Sequence, residues 1–416
     1  MDEVSAMVKI SRIFKDKMIV KPRIKGFVCI TSHPQGCMAS VREQVEIARA
    51  NPLRKGKSPK RVLIIGASTG YGMSSRITAA FSSGADTLGV YFERPPKPDK
   101  PGSAGYYNSL AFNKLAEGLD SVHLDVNGDA FSQACKLEVL ERAKEMGGAF
   151  DLVIYSLASP RRTDPESGEN YRACLKPIGA VYRNKTLDTD KEEVKEITID
   201  PASPDEIEST RKVMGGEDWQ LWTEFLLEEN LLAEGCVNLA YSYIGPAVTQ
   251  PIYRNGTIGR AKEDLEGTAS ELTDLMQGKC GGNAYVSVNK AVVTQASSAI
   301  PVVPLYVSLL FKIMRKMGTH EGCIEQIVRM FNERLYSGKD EVPVDEKNRI
   351  RLDDWEMDPK VQEEVINAWS LINTENLNEL TNFKEYQSEF LKLFGFGLDG
   401  VNYDEDVDLV NPFTSS

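Results

Sequence analysis

The chain has 416 residues, 41% of them hydrophobic and 26% charged, which suits a folded globular protein and excludes disorder as a description of the whole. Acidic residues outnumber basic ones by 61 to 49, a formal charge of −12, so no nucleic-acid partner is expected. No apolar run reaches the roughly 18 residues that a membrane span requires, and no membrane partner is expected either.

Seven scattered cysteines without a CxxC pair, and only three histidines, read as reduced, mostly buried thiols and no metal site. Charged residues interrupt the apolar ones in 1–17, so no secretory signal is expected and a cytoplasmic location follows by default.

Short β-branched runs occur at 61–65, 87–92, 122–124, 152–155, 237–241 and 284–288, with helical patterns between them. This alternation predicts an α/β fold, a Rossmann-like doubly wound parallel sheet. The stretch between the fourth and fifth runs is too long for one crossover helix. Its residues 176–201 alternate Val and Ile with charges, which predicts a β-hairpin inside an insertion around 160–215. From 309 onward the strand pattern stops, and amphipathic helices are expected at 323–336, 359–372 and 382–393. The expected organisation is an extension at 1–17, a catalytic core at 18–308, and a helical elaboration at 309–416 that packs on the core and covers the active site.

Gly66, Ala67, Ser68, Thr69, Gly70, Tyr71 and Gly72 directly follow the first run and open a helical pattern. Strand, glycine turn and helix in that order let a backbone approach a pyrophosphate at the positive end of a helix. No Gly-Lys-Ser/Thr follows, which excludes a P-loop. Glu93 ends the second run about twenty residues further on, where a carboxylate accepts hydrogen bonds from the adenosine ribose hydroxyls and repels a 2′-phosphate. NADH is therefore expected over NADPH. Asp129 and Ala130 follow the third run and are candidates to bracket the adenine. Leu157 and Ala158 end the fourth and are candidates for the nicotinamide ribose.

Past the fifth run come Tyr241, Tyr243, Tyr253 and, with eight residues between, Lys262. A reductase that delivers hydride to an activated double bond or carbonyl needs a donor at the oxygen that becomes negative. Tyr253 supplies one, and a neighbouring ammonium such as Lys262 would lower its pKa.

The glycine turn, Glu93, SLASPRR at 156–162, MGGEDW at 214–219, YSYIG at 241–245, Tyr253 with Lys262, and VSVNKAVVT at 286–294 together resemble the FabV-type trans-2-enoyl-CoA (enoyl-acyl-carrier-protein) reductases, enlarged relatives of the short-chain dehydrogenase/reductases. The resemblance runs from MIVKPRIKGF at Met18 through 395–403; residues 1–17 depart from it. It implies NADH-dependent reduction of the double bond of trans-2-enoyl thioesters, with Tyr253 as proton donor and Lys262 as a cofactor ligand. It also implies NADH contacts from Gly66 to Tyr71 and at Phe92, Glu93, Asp129, Ala130, Leu157, Ala158, Ala291, Val292 and Val293, and a substrate contact from Tyr243.

The implied partner is an acyl-CoA or acyl-carrier-protein thioester, and a monomer is expected. No flavin is expected, because 309–416 carries no second dinucleotide fingerprint. Val302, Val303, Leu305 and Tyr306 are candidate acyl-pocket walls, and Arg161, Arg162, Arg254 and Arg260 candidate members of a basic pocket mouth. Two alternatives stay open on the residues alone: a 3-ketoacyl thioester reductase on the same scaffold, and a non-enzymatic dinucleotide sensor.

Overall fold

The computed structural model describes residues 17–26, 28–53, 58–339 and 341–413. The N-terminal extension, apart from Lys17, lies outside the described residues.

Seven parallel strands form the central sheet: β1 (Arg61–Ile65), β2 (Asp86–Tyr91), β3 (His123–Asn127), β4 (Phe150–Tyr155), β5 (Leu232–Ser242), β6 (Asn283–Val288) and β7 (Arg349–Arg351). Their spatial order is 7-6-5-4-1-2-3. The order reverses between β1 and β4, and the carboxyl ends of those strands open the crevice in which ligands bind in such sheets. In β1, Val62, Leu63, Ile64 and Ile65 are fully buried, as a strand covered on both faces must be. Each of these side chains contributes roughly 1.5–3 kcal/mol through its burial.

On one face pack α1 (Pro34–Ala50), α2 (Gly70–Ser83), α3 (Ala104–Ala116) and α9 (Cys323–Met330), which share an apolar cluster through Val41, Ile77, Phe112 and Ile324. The other face carries α4 (Gln133–Glu145), α6 (Glu217–Glu228) and α7 (Thr257–Cys280), joined through Val139, Trp222 and Leu272. Three further helices, α8 (Val303–Met317), α10 (Pro359–Leu371) and α11 (Phe383–Lys392), build a third cluster beside the sheet.

Between β4 and β5 the chain forms a small hairpin (Arg161–Thr163 with Asn170–Arg172), a longer one (Tyr182–Asp188 with Glu193–Ile199), and α5 (Pro204–Met214) ahead of α6. The longer hairpin lies within 176–201, where alternation predicts it. The insertion grips the start of α7: Thr257 N–H donates to the Lys176 carbonyl at 3.0 Å, and the Thr257 hydroxyl donates to the Cys174 carbonyl at 2.5 Å.

Two strands depart from the expectation of a purely helical C-terminal part. Val407–Asp408 pairs antiparallel with Lys17–Met18, and β7 adds a seventh strand beside β6, pairing Ser287 with Ile350. It escapes a hydrophobic-pattern reading because only Ile350 is apolar in its three residues. Its arginines are neutralised sideways, Arg349 by Asp345 and Glu266 and Arg351 by Asp345 and Asp353.

Candidate active site

The glycine turn sits where β1 meets α2. A Cβ at Gly72 would lie 1.9 Å from the Gly66 carbonyl oxygen, and one at Gly66 2.4 Å from that of Ser156. Gly66 also has a φ of 96°, which side chains rarely tolerate. Thr69 precedes α2 without a side-chain cap, so the first N–H groups of the helix stay open to an anion. Tyr71 turns its side chain inward, donating from its hydroxyl to the Lys290 carbonyl at 2.7 Å. A cavity of about 60 Å³ beside this turn is lined by Thr69, Gly70, Asn108, Thr294 and Lys392 among others.

Glu93 points back at the turn, and Ser68 donates to its Oε1 at 2.7 Å. Asn127 clamps its backbone through both the N–H (2.9 Å) and the carbonyl (3.0 Å). A Cβ at Gly105 would come within 2.0 Å of Glu93 Oε1, so position 105 leaves room for the carboxylate and nothing more. Beside it Phe92 is 75% exposed. Along the same edge Asp129 accepts from Phe131 N–H at 3.1 Å, and the carbonyl of Ala130 is held by the Trp222 indole at 3.0 Å. Leu157 packs against Gly66, and Ala158 is exposed. These segments lie at the carboxyl ends of the neighbouring strands β1 to β4, the edge at which open α/β sheets bind ligands.

The remaining candidates stand at the ends of β5 and β6. Tyr253 is 6% exposed on a turn closed by Tyr253 N–H to the Thr249 carbonyl at 3.0 Å. Its ring meets Tyr243 edge-on, with centroids 5.0 Å apart. Burial alone acts on the Tyr253 hydroxyl and pushes its pKa up.

The lowering expected from Lys262 is not found. That ammonium, on the second turn of α7, donates to the Tyr241 carbonyl at 3.2 Å, and burial brings its own pKa down to about 8. The basic pocket mouth is not formed either. Arg162 is buried and donates to Glu217 and the Lys212 carbonyl, Arg254 is paired with Glu266 and Arg260 with Glu263. In an acidic chain those cations are used up by neighbouring carboxylates; of the four, Arg161 alone is exposed with no ion pair among the described residues.

Pattern reading missed a buried group beneath this centre. Glu356, in the turn after β7, is fully buried. Its Oε1 accepts from the hydroxyls of Tyr243 (2.9 Å) and Tyr306 (2.5 Å), and its Oε2 from Ala291 N–H (2.7 Å). Burial raises its pKa, while the Lys290 ammonium and the three donors pull it back. No sequence signal marks it, because its partners come from three distant segments.

A cavity of about 550 Å³ lies between the longer hairpin, with Leu187 and Ile197, the 298–304 segment, and Tyr386 and Phe390 of α11. Ile300, Leu187, Tyr386 and Phe390 share one apolar cluster with Tyr253. Its walls from the 298–304 segment are Ser298, Ala299, Ile300, Pro301 and Pro304. Val302, Val303, Leu305 and Tyr306, expected there, are instead packed into the protein core around the start of α8.

Family models for the NAD(P)H binding domain and for the catalytic region of trans-2-enoyl-CoA reductase match residues 19–98 and 100–336. The chain belongs to the trans-2-enoyl-CoA reductase family. A trans-2-enoyl-CoA reductase [NADH] of Clostridium perfringens is 54% identical over 94% of this chain and 99% of that protein. An enoyl-[acyl-carrier-protein] reductase [NADH] of Vibrio vulnificus is equally similar, over 94% of this chain and 98% of its own. The crystal structure of Treponema denticola trans-2-enoyl-CoA reductase in complex with NAD superimposes with a TM-score of 0.89 at 48% identity, covering 93% of this chain and 97% of that one.

A third model, described as an enoyl reductase FAD binding domain, matches residues 344–407. In this reductase those residues hold β7 and helices α10 and α11, with no second unit of strand, glycine turn and helix. They do not form a second dinucleotide cradle.

Proposed function

We propose that this reductase uses NADH to reduce the carbon–carbon double bond of trans-2-enoyl thioesters, with crotonyl-CoA to butyryl-CoA as the simplest case. The observation that carries the reading is Tyr253. Among the described residues its hydroxyl has no hydrogen-bond partner and is not sealed from solvent, so it is free to meet a ligand, and its ring shares an apolar cluster with Leu187, Ile300, Tyr386 and Phe390 on the walls of a cavity of about 550 Å³.

Bound NADH supplies a hydride to the β-carbon, and charge moves onto the thioester oxygen as an enolate. Tyr253 donates its proton to that oxygen, and the enol then collapses: the α-carbon takes one proton from solvent as the oxygen returns the first to Tyr253, a net gain of one hydride and one proton. Its raised pKa keeps Tyr253 protonated at neutral pH, the form a donor needs. Tyr243 contributes the edge of its ring beside the acyl group, since its one hydroxyl proton is committed to Glu356. Lys262 holds the nicotinamide ribose. Gly66 to Tyr71 cradle the pyrophosphate, Phe92 and Glu93 hold the adenosine, and Asp129 and Ala130 bracket the adenine. Leu157 and Ala158, with Ala291, Val292 and Val293, bound the nicotinamide half.

No flavin takes part in this reading, and a flavin absorbance band in pure, active enzyme would overturn that clause. The test of the whole is loss of NADH absorbance with crotonyl-CoA and with crotonyl-acyl-carrier protein, run beside acetoacetyl-CoA. Turnover of either enoyl thioester supports it. Turnover of acetoacetyl-CoA alone favours the ketoacyl alternative, and NADH binding without turnover favours a sensor.

A further inference from the structure

The fully buried carboxylate of Glu356 is the meeting point of three segments that the reaction needs in register. The tyrosine-bearing end of β5 reaches it through Tyr243, α8 through Tyr306, and the segment after β6 through the N–H of Ala291. Its own turn is fastened to the end of β6: Leu352 and Asp353 N–H both donate to the Val288 carbonyl, at 2.9 and 3.2 Å, and Met357 N–H closes on Asp353 at 2.8 Å. Gln362 fixes the Glu356 carbonyl at 2.6 Å.

The charge has a local balance. Lys290 is 1% exposed, with its ammonium donating to the carbonyls of Ala291 and Glu321, and the carboxylate of Glu321 is paired in turn with Arg329. A buried anion costs several kcal/mol unless paired and hydrogen-bonded. The seventh strand and its turn therefore place an expensive group under the site, where both of its oxygens accept from donors: Oε1 from Tyr243 and Tyr306, Oε2 from Ala291 N–H.

We propose that Glu356 is a positioning residue for hydride transfer. One carboxylate oxygen orients the Tyr243 ring against Tyr253 while the other fixes the peptide of Ala291, so that the tyrosine pair and the nicotinamide-side segment 291–293 keep a single spacing. This rests on the functional reading above, which places nicotinamide against 291–293.

The geometry makes glutamine a poor substitute. Its amide has one acceptor oxygen, so either the tyrosine hydroxyls or the Ala291 N–H must face an NH₂ group. Displacements of the order of an ångström in reacting groups cost roughly 10²-fold in rate. Glu356→Gln is therefore expected to lower kcat on that scale, with KM for crotonyl-CoA held within about threefold because the acyl cavity is untouched.

The discriminating readout is the primary deuterium isotope effect on kcat with NADH labelled at the transferred position. It should rise in Glu356→Gln as hydride transfer becomes the slow step. A merely structural role would lower the concentration of active sites, counted by NADH titration, and leave the isotope effect where it was. Affinity for NADH, read from its fluorescence on binding, should weaken by roughly three- to tenfold, about one hydrogen bond's worth.

An unchanged kcat and isotope effect, or a loss explained by fewer active sites, overturns the proposal. If Glu356→Gln does not fold, Tyr243→Phe removes the hydroxyl that Glu356 orients and should show the same isotope-effect rise; no rise there overturns it as well. A wild type inactive on enoyl thioesters would sink the functional reading alone. The NADH-affinity comparison would still decide whether Glu356 fixes the Ala291 segment.

Discussion

Tyr253 and Tyr243 meet edge to face, their ring planes at 77°, and the two hydroxyls have opposite fates. That of Tyr243 donates to a buried carboxylate, whereas that of Tyr253 has no partner among the described residues. Two tyrosines that look equivalent in the sequence thus divide into a braced ring and a free donor. Tyr253→Phe should cut turnover by roughly 10²–10⁴-fold, the usual worth of a positioned proton donor, and leave NADH binding largely intact. Turnover close to wild type in steady-state assays would remove Tyr253 from the chemistry.

Lys262 sets a pH dependence whose sign follows from its burial. Its pKa, lowered to about 8, keeps the ammonium charged below that pH and discharges it above. The ribose contact proposed for Lys262 should thus be present at neutral pH and fade as pH rises. KM for NADH should climb by about tenfold per unit above pH ~8, following the neutral fraction of a single group. Lys262→Arg, which stays protonated throughout, should flatten the climb. A wild-type KM for NADH that is level across that range would show that the charge is not used.

The role proposed for Glu93 is discrimination between NADH and NADPH, since Ser68 and the space left by Gly105 hold its carboxylate beside the glycine turn. Glu93→Ala should lower the ratio of kcat/KM for NADH over NADPH by about tenfold or more, through lost hydroxyl contacts and lost repulsion of a 2′-phosphate. An unchanged ratio would remove Glu93 from the cofactor preference.

How much was legible follows from how local each feature is. The glycine turn and Glu93 are local: a few consecutive residues must satisfy strand, turn and helix at once, and the clash distances at Gly66 and Gly72 show why no other residue would serve. The hairpin in 176–201 was legible for the same reason, as alternation along a single strand pair. Tyr253 and Lys262 stood out only by family resemblance, since their spacing would equally suit a packed tyrosine and a surface lysine. Glu356 and β7 were not legible at all. Their stabilising partners are Tyr243, Tyr306, Ala291 and Val288, and contacts that span from 50 to 113 residues leave no period in the chain. The basic residues near the site misled because charge in a sequence says nothing of pairing; Arg254 and Arg260 are taken up by Glu266 and Glu263 of α7.

The cavity gives the last prediction. Its volume of about 550 Å³ and the apolar part of its lining, from Leu187, Ile197, Ile300 and Phe390, would admit an acyl chain longer than crotonyl, and Ile300 stands on the wall in the same cluster as Tyr253. A phenyl ring at 300 would narrow the far space without touching the thioester end. Ile300→Phe should therefore retain crotonyl-CoA activity within about threefold and lose tenfold or more in kcat/KM on long-chain enoyl thioesters, the scale of apolar pocket discrimination. The extra volume also crowds a packed region, so a loss of about 1–3 kcal/mol in stability is expected, and thermal unfolding should be followed alongside. The decisive comparison is the ratio between chain lengths, because overpacking that merely lowers the folded fraction scales both substrates alike. A ratio equal to that of wild type would show that the acyl chain runs elsewhere.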